Sequence, residues 1–264
     1  MIKVVVSGAA GRMGKETVAS AVSDSALELV GVFDPGLAGQ SVEIDGKTFT
    51  YAGELASLLD EVKADVVVDF TRPDAVAQNV KTILSHGVHA VVGTTGISEE
   101  EFKSIHSSYA KDGANLFVAP NFTTGAVLMM VFSKMAAKYF PDAEVIEFHH
   151  NNKKDAPSGT AVRTAKLIEE NRDPSFETSP GKETEIEGYE GARGAISNAV
   201  SIHSVRSNGF VASQEVIFGS KGQTLTLRHD SIDRASYMPG VLLAIKAVGD
   251  IDGVVIGLEN LMDI

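Results

Sequence analysis

The side chains best suited to chemistry lie in one segment, residues 149–161, which reads HHNNKKDAPSGTA. Two imidazoles, which titrate near neutral pH, precede two lysines, which supply positive charge and a potential proton. Pro157 stiffens the following turn, and Ser158 or Thr160 can cap a helix that starts there. A helix N-terminus offers unpaired N–H groups to an anion such as a carboxylate. The pattern indicates an active site for a small, negatively charged substrate, although a polar surface loop stays an alternative.

The overall charge of the chain makes this cationic segment an exception. Among 264 residues, 23 are basic and 35 acidic, which gives a formal net charge of −12. Such a field repels phosphate backbones, so we expect no nucleic-acid partner. The chain has no cysteine, which excludes disulfides, thiolate nucleophiles and cysteine-ligated metals. Because the histidines also lack the helical spacing of a zinc site, no metal is expected.

No part of the sequence predicts a membrane or secreted protein. The first residues already form a strand-like run, without a charged leader ahead of it. No apolar stretch approaches the ~20 residues needed to cross a bilayer. We therefore expect a cytoplasmic protein that does not associate with membranes.

Residues 1–120 alternate between apolar β-branched runs and helix-like stretches. The runs have little polar interruption, which suits strands buried on both faces of a parallel sheet. The β-α-β rhythm predicts an α/β fold with a Rossmann-type, doubly wound parallel sheet. Residues 36–53 are predicted to form a loop or hairpin. The predicted strands are 2–7, 29–33, 66–70, 88–92 and 116–118, and the predicted helices are 13–22, 74–85 and 99–109.

The pattern changes after residue 120. Strand-like runs in quick succession, separated by short turns, predict a second, α+β domain with a mixed or antiparallel sheet over 121–230. The tail is predicted to return to the first, dinucleotide-binding domain, which then comprises 1–120 and about 231–264. The predicted elements are helices at 125–139, 160–171 and 234–248, strands at 144–148, 195–205, 211–218 and 224–228, a mobile connection at 171–190 and a short apolar run at 253–257.

A glycine motif follows the first predicted strand directly and reads GAAGRMG at residues 8–14. Its glycines suit a sharp turn, close approach of the backbone to a pyrophosphate, and tight packing of helix against strand. Asp34 ends the second predicted strand, about 20 residues further on, where an acid binds the adenosine ribose. Simple turns are the alternatives for both features. No cation follows Asp34, whereas Arg12 could meet a 2′-phosphate, so we expect NADH to be favoured or both NADH and NADPH to be used.

Three further loops end predicted strands at the edge of the sheet where ligands bind: FTRP at 70–73, GTTG at 93–96 and APNF at 119–122. Small and amide-bearing residues there could let a nicotinamide ring lie flat and bond its carboxamide. Each loop alone suits ordinary turn chemistry. Their shared position in the predicted sheet makes them cofactor candidates together, and Arg72 is included with them.

With these motifs, the chain resembles the 4-hydroxy-tetrahydrodipicolinate reductases, historically called dihydrodipicolinate reductases, over nearly its whole length. The resemblance rests on residues 6–14, 69–73, 93–96, 119–122 and, most specifically, 147–161; residues 214–219 and 228–230 also match. It implies NAD(P)H-dependent reduction of (2S,4S)-4-hydroxy-2,3,4,5-tetrahydrodipicolinate to (S)-2,3,4,5-tetrahydrodipicolinate with loss of water, in lysine and diaminopimelate biosynthesis. It further implies a homotetramer assembled through the sheets of the second domain.

The resemblance also implies roles for individual residues. By position, His149 corresponds to the proton donor or acceptor and Lys153 to the second proton donor. Both roles fit the chemistry, because hydride addition and departing hydroxide each call for a proton. At most one of His149 and His150 is expected to face the cleft, because neighbours in a strand point to opposite faces. The implied substrate contacts are His150, Gly159 and Thr160, and the implied cofactor contacts are Gly8, Ala9, Ala10, Gly11, Arg12, Met13, Asp34, Gly93, Thr94, Thr95, Ala119, Pro120, Asn121 and Phe122.

Two other functions stay open at the level of sequence. One is a dehydrogenase of the same architecture with another substrate, such as an aspartate or homoserine-type dehydrogenase; the dense His and Lys cluster before PSGT argues against it. The other is a nucleotide-sensing binding protein without catalysis, which His149 and Lys153 argue against. We interpret Lys154 as surface charge and His203 and His229 as structural.

Overall fold

The computed structural model describes residues 1–177 and 184–264, which form two compact units. Unit 1 comprises Met1–Phe122 and Tyr237–Ile264, and unit 2 comprises Thr123–Ser236. Both boundaries lie a few residues later than the divisions at 120 and 230 expected from the sequence. Of the connection predicted at 171–190, residues 178–183 lie outside the described residues.

The first part of unit 1 alternates strands and helices, interrupted by one exposed hairpin. Its strands are β1 (Ile2–Ser7), β2 (Leu27–Phe33), the hairpin pair β3 (Ser41–Ile44) and β4 (Lys47–Thr50), then β5 (Val66–Asp69), β6 (His89–Val92) and β7 (Leu116–Val118). Its helices are α1 (Arg12–Ser23), α2 (Leu55–Glu61), α3 (Val76–Ser85) and α4 (Glu99–Tyr109). The central strands are buried nearly throughout, as their unbroken apolar runs predict.

Helix α2 was not anticipated from the sequence. It has only seven residues, fewer than a periodic pattern needs to stand out. Its apolar residues Leu55, Leu58 and Leu59 are spaced to share one helix face, and all three belong to the buried core of unit 1.

Unit 2 packs two helices against a mixed sheet. Its elements are α5 (Thr124–Ala136), β8 (Asp142–His149), α6 (Gly159–Asn171), β9 (Ala195–Ser197), β10 (Val200–Arg206), β11 (Ala212–Ser220) and β12 (Gln223–Ser231). The strand order is β12-β11-β8-β10-β9, in which β8 and β10 are parallel and the other pairs antiparallel. The core lies between this sheet and α5 and α6, around Val145, Ile168 and Phe218.

The single strand predicted at 195–205 is wrong. The chain reverses at Asn198, which has a φ of 34°, and pairs β9 with β10 as a hairpin. Asparagine tolerates this left-handed conformation better than most residues, but the turn lacks the Asn-Gly signature that marks such hairpins in a sequence.

The chain then returns to unit 1 through a 3-10 turn (Arg234–Tyr237), α7 (Met238–Ala247) and β13 (Val254–Ile256). Strand β13 pairs with β7 and completes a six-stranded parallel sheet in the order β13-β7-β6-β5-β1-β2. The side-chain amide of Asn115 fixes this return, because it donates to the carbonyls of Val248 and Ile251, at 3.0 and 2.8 Å. The predicted fold class is confirmed: a Rossmann-type parallel sheet and a second unit with a mixed sheet.

Candidate active site

The glycine motif of unit 1 forms a tight turn between β1 and α1. Gly8 has a φ of 78°, and a Cβ there would lie 2.6 Å from the carbonyl oxygen of Phe70. A Cβ on Gly14 would lie 2.0 Å from the oxygen of Gly8, so helix and turn pack without room for a side chain. Gly11 precedes α1 and provides no side-chain cap. The first N–H groups of α1 are therefore left for an anion, as a pyrophosphate site requires.

Asp34 directly follows β2, beside this turn. Its carboxylate accepts hydrogen bonds from the N–H groups of Ala10 and Gly36, both at 3.1 Å. These bonds place a carboxylate next to the glycine motif, where the ribose of a dinucleotide would lie. Arg12 is exposed in the same turn.

The structure brings the other predicted cofactor loops together around Phe70. A Cβ on Gly93 would lie 2.0 Å from the Phe70 ring, and the rings of Phe70 and Phe122 meet edge to face with centroids 5.7 Å apart. Phe122 and Ala119 are buried in the core, whereas Thr95 and Pro120 are exposed. The residues of unit 1 thus fit a dinucleotide, because backbone comes close to the sheet edge and helix α1 is left open to an anion.

Arg72 makes a different contact. Its guanidinium pairs with Asp74, with Nη2 at 2.6 Å from Oδ2, and its side chain is 77% exposed. The hydrogen bond from Arg72 lowers the pKa of Asp74. The carboxylate thereby occupies the part of Arg72 that would meet an anionic cofactor group.

A buried carboxylate that the sequence analysis did not single out organises these loops. Asp69 ends β5 with no exposed surface and accepts hydrogen bonds from hydroxyls at the ends of three strands. Ser7 Oγ, Thr71 Oγ1 and Thr94 Oγ1 lie 2.9, 2.7 and 2.8 Å from its oxygens, and Asn79 Nδ2 lies at 2.8 Å. Asp69 therefore holds the side chain of Thr94, a predicted cofactor contact, through this hydrogen bond.

In unit 2, the end of β8 carries the predicted catalytic histidine and a second unanticipated carboxylate. Glu147 is fully buried and accepts hydrogen bonds from His149 Nδ1 and from both terminal nitrogens of Arg206, the latter at 2.8 Å. It also accepts from the N–H of Ser158 at 3.3 Å. Burial alone would raise the pKa of Glu147, but hydrogen bonds from Arg206, Ser204 and His149 outweigh it and hold that pKa below its ordinary value.

Glu147 fixes the protonation pattern of His149. Because the carboxylate can only accept, Nδ1 carries the proton and Nε2 becomes the working nitrogen. Among the described residues, Nε2 of His149 has no partner. Burial lowers the pKa of His149; Glu147 opposes this, and the charges of Lys153 and Arg206 add to it, with a net lowering. The lowered pKa favours the neutral imidazole, whose Nε2 is free to accept a proton.

The environments of His150, Lys153 and Lys154, which follow His149 in the sequence, differ from that of His149. His150 follows β8, and its Nδ1 is buried without a hydrogen-bond partner among the described residues. A buried polar atom of this kind calls for a partner that the protein does not supply, such as a ligand. Lys153 Nζ lies 2.8 and 3.0 Å from the two oxygens of Asp155, and its hydrogen bond lowers the pKa of that carboxyl. Lys154 is exposed.

The N-terminus of α6 has the backbone N–H groups that an anion-binding site needs. Ser158 is its cap and accepts from the N–H of Ala161 at 3.2 Å. Within residues 1–177 and 184–264, the N–H groups of Gly159 and Thr160 have no acceptor. A Cβ on Gly159 would meet no atom within 4 Å, so neither packing nor backbone conformation requires glycine there. The Cβ position of Gly159, the residue that carries one of these two donors, is therefore open space.

Two further features concern the described residues only. Across residues 1–177 and 184–264, no group of histidine and carboxylate side chains could hold a metal ion. No helix in those two ranges is long and apolar enough to span a bilayer.

Known proteins resemble the chain in sequence and in fold. Residues 2–122 match the family described as "Dihydrodipicolinate reductase, N-terminus", and residues 125–262 match "Dihydrodipicolinate reductase, C-terminus". The 4-hydroxy-tetrahydrodipicolinate reductases of Listeria welshimeri and Bacillus cereus are 49% and 46% identical, with 99% of this chain covered and 100% and 99% of the relatives. A dipicolinate-bound dihydrodipicolinate reductase from Paenisporosarcina superimposes with a TM-score of 0.87 at 41% identity, over 99% of this chain and 100% of that one.

Proposed function

The chain belongs to the family of dihydrodipicolinate reductases, also named 4-hydroxy-tetrahydrodipicolinate reductases, and we propose how its residues carry out that family's reaction. Its function is the reduction of 4-hydroxy-tetrahydrodipicolinate to tetrahydrodipicolinate with loss of water, in lysine and diaminopimelate biosynthesis. Unit 1 is proposed to bind the nicotinamide cofactor, and unit 2 the substrate.

In unit 1, the proposed cofactor contacts are the glycine turn and the three loops around Phe70. The N–H groups at the start of α1 would receive the pyrophosphate, and Asp34 the adenosine ribose. NADH or NADPH, when bound, supplies the hydride. NADH is proposed to be favoured, because Asp34 is followed by Pro35 and not by a cation. NADPH is proposed as an alternative cofactor, because Arg12 is exposed within the glycine motif and would offer a cation to a 2′-phosphate.

In unit 2, the proposed proton-transfer groups are His149, as proton donor or acceptor, and Lys153, as the second proton donor. Loss of water removes a proton from a ring carbon and gives one to the departing hydroxide, and addition of hydride to the conjugated imine then needs one further proton at the substrate. His149 would act through Nε2, because Nδ1 is hydrogen-bonded to Glu147: the neutral imidazole accepts a proton at Nε2, and the imidazolium so formed can donate it again. Lys153 would donate the second proton once the substrate competes with Asp155 for its ammonium group.

The observation that carries this proposal is the pair of unpaired N–H groups at Gly159 and Thr160, in the same motif as the Glu147-bound His149. Backbone N–H groups at a helix start bind a carboxylate without adding charge, and the substrate is a dicarboxylate. The unpartnered Nδ1 of His150 supports a further contact. Dipicolinate, the ligand named for the Paenisporosarcina enzyme, is a planar dicarboxylate of the same class.

A homotetramer is proposed from the sheet face of unit 2 that lies opposite α5 and α6. Opposite α5 and α6, this face presents the half-buried apolar side chains of Ile146, Phe148, Val205 and Ile217. Apolar side chains of this kind on a sheet face are suited to association with another copy. Light scattering coupled to size-exclusion chromatography measures the assembly, and a monomer at micromolar concentration would contradict the proposal.

The decisive experiment is oxidation of NADH or NADPH, followed at 340 nm with freshly generated substrate. Substrate-dependent oxidation supports catalysis, and initial rates with the two cofactors give the preference. Tight cofactor binding without oxidation would favour a nucleotide-sensing protein. The expected cytoplasmic location stays a prediction.

A further inference from the structure

Arg206, at the end of β10, is a cation of unit 2 whose guanidinium makes four hydrogen bonds. Its Nη1 donates to Glu147 Oε2 and to the carbonyl of Val205, and its Nη2 donates to Glu147 Oε1 and to the carbonyl of Asp155, all at 2.8 Å. Each of the four hydrogens on Nη1 and Nη2 therefore has an acceptor. A guanidinium engaged in this way cannot also fork onto a substrate carboxylate.

We propose that Arg206 is a positioning residue that holds both proton-transfer groups of the reaction, His149 through Glu147 and Lys153 through the main chain of Asp155. This inference rests on the proposed roles of His149 and Lys153. It goes beyond them because it connects two groups through one side chain on a different strand, although the guanidinium donates its hydrogen bonds to Glu147, Val205 and Asp155 and not to His149 or Lys153.

The first connection keeps Glu147 ionised. A carboxylate without exposed surface needs a counter-charge, and the two parallel bonds from Arg206 supply it. Ionised Glu147 accepts a hydrogen bond from the Nδ1–H of His149, which leaves Nε2 as the nitrogen for proton transfer. In the parallel register, Arg206 lies directly opposite His149, so the fork, the carboxylate and the imidazole form one compact unit across β8 and β10.

The second connection fixes the loop between β8 and α6. The bond from Nη2 holds the Asp155 carbonyl, while the Asp155 carboxylate holds the Lys153 ammonium at 2.8 and 3.0 Å. The charged groups around His149 are thus Glu147 on its own strand, Arg206 on β10, and Lys153 and Asp155 in the loop. Loss of the Arg206 fork would loosen both donors at once.

The test replaces Arg206 by lysine in the full-length enzyme. Lysine keeps the charge but offers a point donor, which cannot reproduce the planar fork together with the bond to Asp155. A donor displaced by about 1 Å costs about 100-fold in rate, so kcat should fall about 100-fold. NADH affinity, measured by fluorescence titration, should stay at the wild-type value, and KM for the substrate should change far less than kcat. Arg163→Lys, the same exchange on the exposed face of α6, is the matched control and should leave kcat unchanged.

A spectroscopic readout separates positioning from mere structural support. In ¹⁵N-histidine spectra, His149 should show protonated Nδ1 in the wild type and a mixture of tautomers in Arg206→Lys. Glu147→Gln should change the tautomer of His149, whereas Asp155→Asn should not, because Glu147 and not Asp155 accepts the hydrogen bond from His149 Nδ1. If Arg206→Lys fails the thermal-melt check of folding, Glu147→Gln carries the test, with the same expected change in tautomer and a lowered kcat.

Wild-type kcat and an unchanged His149 tautomer in Arg206→Lys, or in Glu147→Gln where that variant stands in, would overturn the inference. So would a fall in kcat matched by an equal loss of NADH affinity. His149→Asn and Lys153→Met separate this failure from failure of the proposed function. If either keeps wild-type turnover, the proposed catalytic roles fail; if both lose turnover while Arg206→Lys does not, only the role of Arg206 fails.

Discussion

Replacing Gly159 by alanine should leave the protein as stable as before, or more stable, while it damages substrate binding. The new methyl group meets no atom within 4 Å, and Gly159 does not need the left-handed conformation. A compatible exchange of glycine for alanine stabilises a protein by about 0.4–1 kcal/mol, chiefly because the unfolded chain loses freedom. In the proposed complex a substrate carboxylate lies against the N–H groups of Gly159 and Thr160, and a methyl group on Gly159 would crowd it.

The cost to the substrate follows from the bond that is obstructed. A hydrogen bond to a charged group contributes about 1.5–3 kcal/mol, which corresponds to about 10- to 100-fold in KM. Thermal melts report the first effect, and steady-state rates at 340 nm report the second. Gly188→Ala is a matched control, since its added methyl group also meets no atom within 4 Å. An unchanged KM in Gly159→Ala, or a lowered melting temperature, would refute the assignment of this space to the substrate.

Three other substitutions test separate parts of the site. Lys153→Ala should lower kcat by about 10²–10⁴-fold while NADH affinity stays intact, with exposed Lys154→Ala as the control; equal loss of cofactor binding would contradict the division of roles. Asp34→Ala should weaken NADH more than NADPH in fluorescence titrations, and an unchanged ratio would remove Asp34 from the ribose site. Burial raises the pKa of Glu147, but the hydrogen bonds from Arg206 and Ser204 lower it by more, so that it lies below its ordinary value of 4.5. The ionised Glu147 therefore contributes its full share of stability above pH 4.5 and loses it as the pH falls through the lowered pKa. In Glu147→Gln, the free energy of unfolding, measured with urea, should accordingly depend less on pH at acidic pH.

Much of the fold follows from local sequence patterns. The apolar run of β1 predicts its buried position, and the glycine motif predicts the turn into α1, because both depend on residues close in sequence. The wrong strand at 195–205 shows the limit of that approach. Asn198 can reverse the chain, but only pairing of β9 with β10 reveals that it does.

The site was predictable only in its contiguous part. His149 and Lys153 stand in one motif, and Glu147 could have been recognised, since residues two apart in a strand share a face. Arg206 could not, because it is 59 residues from Glu147 and meets it through the parallel register of β10 with β8. Asp69 likewise could not have been recognised, because its hydrogen-bond donor Ser7 is 62 residues away in the sequence. Long-range pairing, not residue type, decides which charged groups serve the site.

Because the chain returns to unit 1 only at β13, the two units can complete their folding at different times during translation. A ribosome delivers unit 2 entire before it releases Val254–Ile256, the strand that borders β7 in unit 1. Domains generally fold as units during synthesis, so unit 2 should mature first although its residues are encoded in the middle. Until residue 256 emerges, the nascent dinucleotide fold keeps one edge of β7 unpaired, and exposed strand edges invite aggregation. Chaperone contacts during translation should therefore concentrate on the earlier half of the chain and end when that last strand docks.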